Sequence, residues 1–499
     1  DAERAEALLG VTAARRGAMA AVAGRSDART FRRLSAGMED AAAAVTELCV
    51  GGAEADVLRV ASVADEGNMA VPVDDHWIVA TAPARVDLSG GWSDTPPVSY
   101  EYGGAVAGLA VTVDNLKPLS CRCRVVSNGQ GILVCTESRE GTSGALLGQQ
   151  EFRLQKIGDL SDFRDPTANC TLIKCALICL GLVASDDVQQ ESNADTSLQP
   201  YINKFCGSND HDLGLEIISA SLLPVGSGMG TSSILGGCVL AAIGRCAGMD
   251  FTSNGSKDAD SDGQLIHAVL TLEQLMTTGG GWQDQVGGLI GGLKLATSDR
   301  HTIPLRTGVE RIPLSPCVKS ALDDRLVLVF TGKPRLAKDI LRNVLRRWAR
   351  RSPEIVQTVQ DLVAGAGCAA DALRGENVNL DELGRHMKDY WKFKKIMAGE
   401  GSGAEPEEIR KLLVKLYEQK VISGGTICGA GGGGFLVLLL SDGQTMERAE
   451  QIGHDVSAEF TWHDCKICED GLTVKVVRND ARGDPAVDSF DTAWHRVTA

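Results

Sequence analysis

Residues 222–243, "LLPVGSGMGTSSILGGCVLAAI", pass from a proline and three spaced glycines into an apolar run. Gly226, Gly228 and Gly230 permit backbone conformations, and a closeness of approach, that side chains forbid. Pro224 stiffens the entry, while Ser227 and Met229 fill the positions between the glycines. Thr231, Ser232 and Ser233 then stand where a helix begins. The free N–H groups and positive dipole end of that helix favour an anion. The stretch reads as a cradle for phosphate, Pro224 to Ser233. The plain alternative is a capped helix following a glycine turn. A G-x-x-x-x-G-K-[ST] pattern occurs nowhere in the sequence, so this is not the common P-loop.

Strand-like runs surround the cradle. "HWIVATA", "AVAGLAVTVDN", "SCRCRVVS" and "GILVCT" precede it, and "LEIISASL" leads into it. Helices are expected at 169–184 and 264–278, with a polar loop, "DFTSNGSKDADSDG", at 250–263. "GLIGGLKLAT" looks like a hairpin. A strand and a long helix open at "RLVLVFTGKPRLAKDILRNVLRRW", helices fill 336–420, and "GTICGAGGGGFLVLLL" feeds a glycine loop into a strand. "LTVKVVRN" reads as the last strand. The Ala-rich residues 1–75 suggest two or three helices. The organisation is α+β in two lobes: a helical extension over 1–75, a first domain over 76–323, a second over 324–480 and a tail over 481–499.

A chain of 499 residues is too long for one core, which agrees with two or more domains. A net charge of -15 argues against nucleic acid or an anionic membrane as partner. It leaves room for a small anion held by a local cradle. The fifteen cysteines are scattered and many sit in apolar runs, a pattern of reduced thiols in a cytoplasmic protein. The chain opens at Asp1 without Met, so a larger N-terminal region is expected to precede it.

Several motifs lose on inspection. "GAGGGG" at 429–434 satisfies G-x-G-x-x-G, but it precedes a strand, whereas a dinucleotide fingerprint follows one. "DADSDG" at 258–263 starts like an EF-hand, yet Val269 stands where the bidentate Glu belongs. Ser227 lies in G-S-G-M-G, not in a G-x-S-x-G elbow. His463, Cys465 and Cys468 contain one C-x-x-C pair without a second, so a hairpin with reduced thiols is preferred over zinc.

Two further stretches carry chemistry. In "LEQLMTTGGGWQDQVGG", Glu273 lies on an expected helix and Asp284 just past a triple glycine. A carboxylate on a rigid turn can act as general base, and a second nearby can hold Mg²⁺ on phosphate oxygens. In "TAPARVDLSGGWSDTPP", residues 81–97, an arginine, two carboxylates and an indole share a segment stiffened by proline and loosened by glycine.

Together these segments resemble the GHMP family of small-molecule kinases. The family has an N-terminal segment with a basic residue, a P-x-G-x-G-[LM]-[GS]-[ST]-S phosphate loop and a C-terminal G-A-G-G-G-G. Here they are residues 82–94, 224–233 and 429–434, in that order, and Glu273 precedes Asp284 at the family's spacing. The resemblance covers about 76–480. One departure stands out: a Lys often found before the last motif is replaced by Thr426, Ile427 and Cys428.

The resemblance implies a two-lobed fold and transfer of the ATP γ-phosphoryl group to the anomeric hydroxyl of a sugar. The stretch at 81–97 is most similar to the branch of the family acting on L-fucose. A heptose 7-phosphate or D-arabinose as substrate, or a silent binding relative, are the alternatives. Asp284 is implied as base, and Arg85 as the group that orients it. Residues 224–233 would wrap the phosphates, with Ser232 and Glu273 holding Mg²⁺. Trp92, Ser93, Asp94, Gly431 and Gly432 would face the sugar. Trp92 could equally pack between lobes, and Asp87 could equally be structural. The expected partners are ATP and sugar, with a homo-oligomer left open.

Overall fold

Proline decides where the first strand ends. Pro83 has no N–H to give a ladder, so the strand-forming run 76–89 is cut into two pieces. In the computed structural model these pieces enter different sheets. The structure describes residues 7–9, 74 and 76–478, apart from 128, 140–145, 166, 209–211, 225, 252–258, 277–278, 334–336 and 377. Of the helices expected within 1–75 only residues 7–9, which are helical, are described, and the tail 481–499 lies outside the described residues.

Among the described residues fourteen strands follow in chain order. The first seven are β1 (His76–Ala82), β2 (Ala84–Ser89), β3 (Gly104–Val113), β4 (Leu119–Ser127), β5 (Ile132–Arg139), β6 (Leu146–Leu154) and β7 (Leu213–Ser221). The second seven are β8 (Leu293–Ser298), β9 (Thr307–Ile312), β10 (Leu326–Phe330), β11 (Ile422–Ile427), β12 (Phe435–Leu440), β13 (Thr461–Ile467) and β14 (Thr473–Arg478). One six-stranded sheet has the order β14-β1-β4-β7-β5-β6; it is antiparallel except for the parallel pair β5 and β7. An eight-stranded sheet runs β11-β12-β10-β13-β3-β8-β9, with β2 paired to β3. Strands from both sides of residue 323 share this second sheet, and β14 returns to the first.

The phosphate-loop helix, Thr231–Cys246, lies against β1 and β4. It is apolar nearly all round, as a helix buried on several sides must be. Ile234, Cys238, Val239 and Ile243 meet Ile78, Leu119, Cys121 and Cys123 in one core cluster. Glycines on facing segments serve packing: a methyl on Gly237 would come within 2.5 Å of Leu289, and one on Gly288 within 2.3 Å of Ile234. The helix Gln283–Leu289, which carries Asp284, is thereby drawn against the phosphate-loop helix.

Three local expectations give way. The helix Ala259–Leu275 starts inside the run expected as a loop. Pro96 and Pro97, read as closing a loop, instead begin the helix Pro96–Tyr102 at its first positions, where a missing N–H costs nothing. "GLIGGLKLAT", expected as a hairpin, is instead the end of the helix Gln283–Leu289 followed by β8. The fourteen described cysteines are free thiols, and among the described residues no helix is long and apolar enough to cross a membrane.

Candidate active site

The cradle takes the shape its glycines allow. Gly226, Gly228 and Gly230 have φ of 77°, 81° and 78°, a left-handed region that costs other residues about 1–2 kcal/mol each. Ser227 is fully buried; its Oγ lies 2.7 Å from Thr231 Oγ1 and accepts from the Met229 N–H at 3.3 Å. Gly230 is the N-cap of a 16-residue helix and has no side chain to satisfy the first-turn amides. Those amides remain available to an anion.

Two carboxylates and an arginine close on this loop. Arg85, on β2, is completely buried. Its Nε donates to Asp284 Oδ1 at 2.8 Å, its Nη2 reaches the same oxygen, and its Nη1 pairs with Asp87 Oδ2 at 2.9 Å. Burial works against the guanidinium charge, but Asp284 and Asp87 outweigh it and raise its pKa further. Asp87 thus joins the constellation through Arg85. A methyl on Gly230 would stand 3.2 Å from Asp284 Cβ and 3.3 Å from Arg85 Cγ, so loop and ion pair are in contact.

Glu273, 5% exposed, sits under the start of the phosphate-loop helix. Its Oε1 accepts from Ser233 Oγ at 2.5 Å and lies 3.5 Å from Ser232 Oγ. Burial pushes its pKa up to about 8; the Ser233 bond opposes the shift, and Asp284 and Asp94 add to it. A buried carboxyl of this kind holds either a proton or a cation. Of the two serines, exposed Ser232 is at the mouth, and buried Ser233 is the closer partner.

The loop 90–94 stands on the other side. Ser93 Oγ faces the carbonyls of Gly90 at 2.7 Å and Ala105 at 3.0 Å, and accepts from the Ala105 N–H at 3.1 Å. Its hydroxyl staples the loop to β3. Trp92 adopts φ 79°, rare for a bulky side chain, and its N–H donates to Asp94 Oδ1 at 3.0 Å. Asp94 Oδ2 accepts from the Gln283 N–H at 3.2 Å. Burial pushes the Asp94 pKa up to about 7; the Gln283 bond opposes it, while Asp284 and Asp87 contribute. The triple glycine makes room for both acids: methyls on Gly281 and Gly280 would meet Asp94 Oδ2 at 2.0 Å and Glu273 Oε2 at 2.9 Å.

The Trp92 ring is packed with Val98, Ile340, Val344, Trp348 and Tyr390. The last glycine motif meets the cradle directly. Phe435 N–H donates to Ser227 O at 2.8 Å, and a methyl on Gly434 would stand 2.3 Å from that oxygen. Gly431 and Gly432 instead line up on Ala404, whose carbonyl accepts from the Gly432 N–H at 2.7 Å. His463 pairs with Asp114 at 2.8 Å and with Thr461 at 2.9 Å.

Sequence reasoning missed three supporting residues. Lys294, buried, donates to Gly287 O at 2.7 Å and to Ile290 O, and so caps the C-terminal end of the helix that carries Asp284. Burial lowers its pKa to about 7, with Arg311 adding to the effect. Lys394, buried, donates to Ile427 O at 2.6 Å, just before the glycine motif, and lies 4.9 Å from the Tyr390 ring centre. Tyr390 itself borders the loop 90–94. The sequence held one hint, since Tyr390, Lys394 and Met397 share a helix face that an exposed lysine would not occupy.

Residues 370–460 match the family model described as GHMP kinases C terminal. The bifunctional fucokinase/GDP-fucose pyrophosphorylase of Arabidopsis thaliana is 33% identical over 374 residues, 74% of this chain and 30% of its own length. The L-fucokinase/L-fucose-1-P guanylyltransferase of Bacteroides fragilis is 28% identical over 385 residues, 76% of this chain and 36% of its own length. The chain therefore spans about a third of the length of the curated relatives it matches, on coverages of 30% and 36%. The solved galactokinase of Lactococcus lactis, complexed with galactose, superposes with a TM-score of 0.53 at 16% identity, covering 80% of this chain and 95% of that one. At that identity the likeness concerns fold alone. Residues 370–460 thus carry the GHMP kinase C-terminal domain, and the fold is two-lobed α+β, as in the solved galactokinase. In sequence the chain is similar to two proteins named as fucokinases.

Proposed function

We propose that this chain is an ATP-dependent sugar kinase that phosphorylates the anomeric hydroxyl of L-fucose, giving L-fucose 1-phosphate. The carrying observation is the Asp284 carboxylate, held by buried Arg85 and touching the phosphate loop at Gly230. The choice of sugar rests on the relatives, both named as fucokinases.

The residues fit the groups such a reaction needs. Three left-handed glycines and an uncapped helix start suit the phosphates of ATP. Glu273, with the Ser232 and Ser233 hydroxyls, offers the hard oxygen donors that Mg²⁺ takes. When bound, Mg²⁺ supplies neutralisation of phosphate charge. Both Arg85 contacts fall on Asp284 Oδ1, which leaves Oδ2 to accept the proton of the attacking hydroxyl. The fixed guanidinium charge favours an ionised, correctly turned Asp284 before the sugar arrives. Asp94 faces the same space as the acceptor for other sugar hydroxyls, and the loop 90–94 fixes its position.

The test is release of ADP from ATP in the presence of L-fucose, D-arabinose, D-galactose, D-mannose or a heptose 7-phosphate. L-Fucose is expected to give the highest kcat/KM. A higher value with the heptose phosphate, or no release with any of the five, refutes the assignment.

A further inference from the structure

Gly91 has no unusual φ, so backbone geometry does not require a glycine there. Space does. A methyl on Gly91 would stand 2.2 Å from the Tyr390 hydroxyl and 2.5 Å from Gln283 Oε1. Two side-chain oxygens from distant parts of the chain therefore converge on one Cα. Tyr390 comes from the helix Leu380–Ala398 and Gln283 from the first turn of the helix that carries Asp284.

The Gln283 oxygen is unspent among the described residues. Gln283 Oε1 is buried without a hydrogen-bond partner. Tyr390 is 1% exposed, and its hydroxyl stands at the same Cα. Burial pushes its pKa well up, with Asp87 adding to the effect, so the hydroxyl keeps its proton as a donor. Native proteins seldom leave a buried acceptor orphaned, and an unmet acceptor beside a hydroxyl donor is the pattern a ligand hydroxyl completes. Gln283 also directly precedes Asp284, and its N–H already holds Asp94.

We propose that Gln283 and Tyr390, meeting across Gly91, form a clasp that reads a hydroxyl of the sugar and so sets which sugar the Asp284 site takes. The clasp rests on the sugar-kinase reading above and deepens it. Its surroundings also select against a second phosphate on the substrate. Asp94, Gln283 Oε1 and the Tyr390 oxygen offer acceptors. The neighbouring described cations are engaged: Arg85 with Asp87 and Asp284, Lys394 with the Ile427 carbonyl. A neutral polyol fits this corner better than a sugar phosphate.

The test uses the whole chain with Tyr390→Phe and Gln283→Leu, two substitutions close in size to the originals. Sugar KM is expected to rise about tenfold in each, the equivalent of one hydrogen bond, with the ATP KM within twofold of the unsubstituted protein. Monodeoxy analogues of L-fucose separate recognition from general damage. One of them should be poorly used by the unsubstituted protein, and Tyr390→Phe or Gln283→Leu should no longer discriminate against it. Calorimetric binding of the same sugars is run alongside, so a failure of catalysis does not hide the clasp. If no sugar is phosphorylated but L-fucose binds and both variants lose at least fivefold in affinity, the kinase reading fails and the clasp stands. Sugar affinity and deoxy-sugar discrimination unchanged in both variants, or no sugar bound by the unsubstituted protein, overturns the clasp.

Discussion

Between residues 224 and 233 the chain leaves its polar groups uncovered: three glycines turn the backbone, and the amides of a helix start have no side-chain cap. Between residues 90 and 94 the opposite holds for the backbone. Ser93 is tied to Gly90 and Ala105, Trp92 N–H to Asp94, and Asp94 to Gln283. The first region is a backbone surface that an anion completes. The second is fixed in advance, at the cost of a strained tryptophan, and presents side chains. In the proposed function, phosphate, common to many reactions, would be met by generic amides, and the sugar, which must be told from its isomers, by a preset loop. Arg85 and Asp284 stand where the two regions touch.

The largest expected effect breaks the junction. Asp284→Asn should lower kcat by about 10²–10⁴-fold, as removal of a general base does, with ATP binding retained in a thermal-shift titration. Retention of kcat within tenfold would leave the two regions without a base between them. Arg85→Met should destabilise the fold by about 3–5 kcal/mol, because Asp87 is left buried with its ion pair removed. Denaturant unfolding measures this, and a loss below about 1 kcal/mol would show that the pair holds nothing together.

A matched pair of glycine substitutions sharpens the contrast. Gly230→Ala places a methyl near Asp284 and forces a left-handed alanine, costing about 1–2 kcal/mol. It should raise the ATP KM more than the sugar KM. Gly91→Ala collides with Tyr390 and Gln283 and should do the reverse. Steady-state kinetics in both substrates decides, and equal effects on both constants would erase the distinction.

The smallest effect is in pH. Glu273 at about 8 and Asp94 at about 7 bind protons more tightly in the fold than in the unfolded chain, where they lie near 4.5 and 3.8. Their contribution to stability is complete below about pH 4 and fades as pH climbs through those two folded values. The Tm of the ligand-free protein should therefore fall from mildly acidic to mildly alkaline pH, and Glu273→Gln should flatten the upper part of the fall. An unchanged profile in Glu273→Gln would mean that this carboxyl is not the titrating group.

The glycine turn and the helix start were legible in sequence because their parts are contiguous: glycine spacing, hydroxyls and apolar helix all lie within 222–243. Arg85, Asp284 and Glu273 were found by pattern, but their contacts were not. Ser232 and Ser233 are one residue apart, and only the seating of the helix shows which of them meets Glu273 more closely. The clasp left no local sign, since Tyr390 and Gly91 meet only through the fold. The prolines at 96 and 97 misled because the same residue that ends strands can open a helix.

Phosphorus NMR of the chain turning over ATP, Mg²⁺ and L-fucose, run beside Asp284→Asn, tests the central assignment most directly. A new sugar-phosphate resonance, split by coupling to a single anomeric proton and growing as ADP appears, is predicted for the unsubstituted protein and not for Asp284→Asn. Intact ATP, free phosphate as the only product, or the same resonance growing equally fast in Asp284→Asn would contradict it.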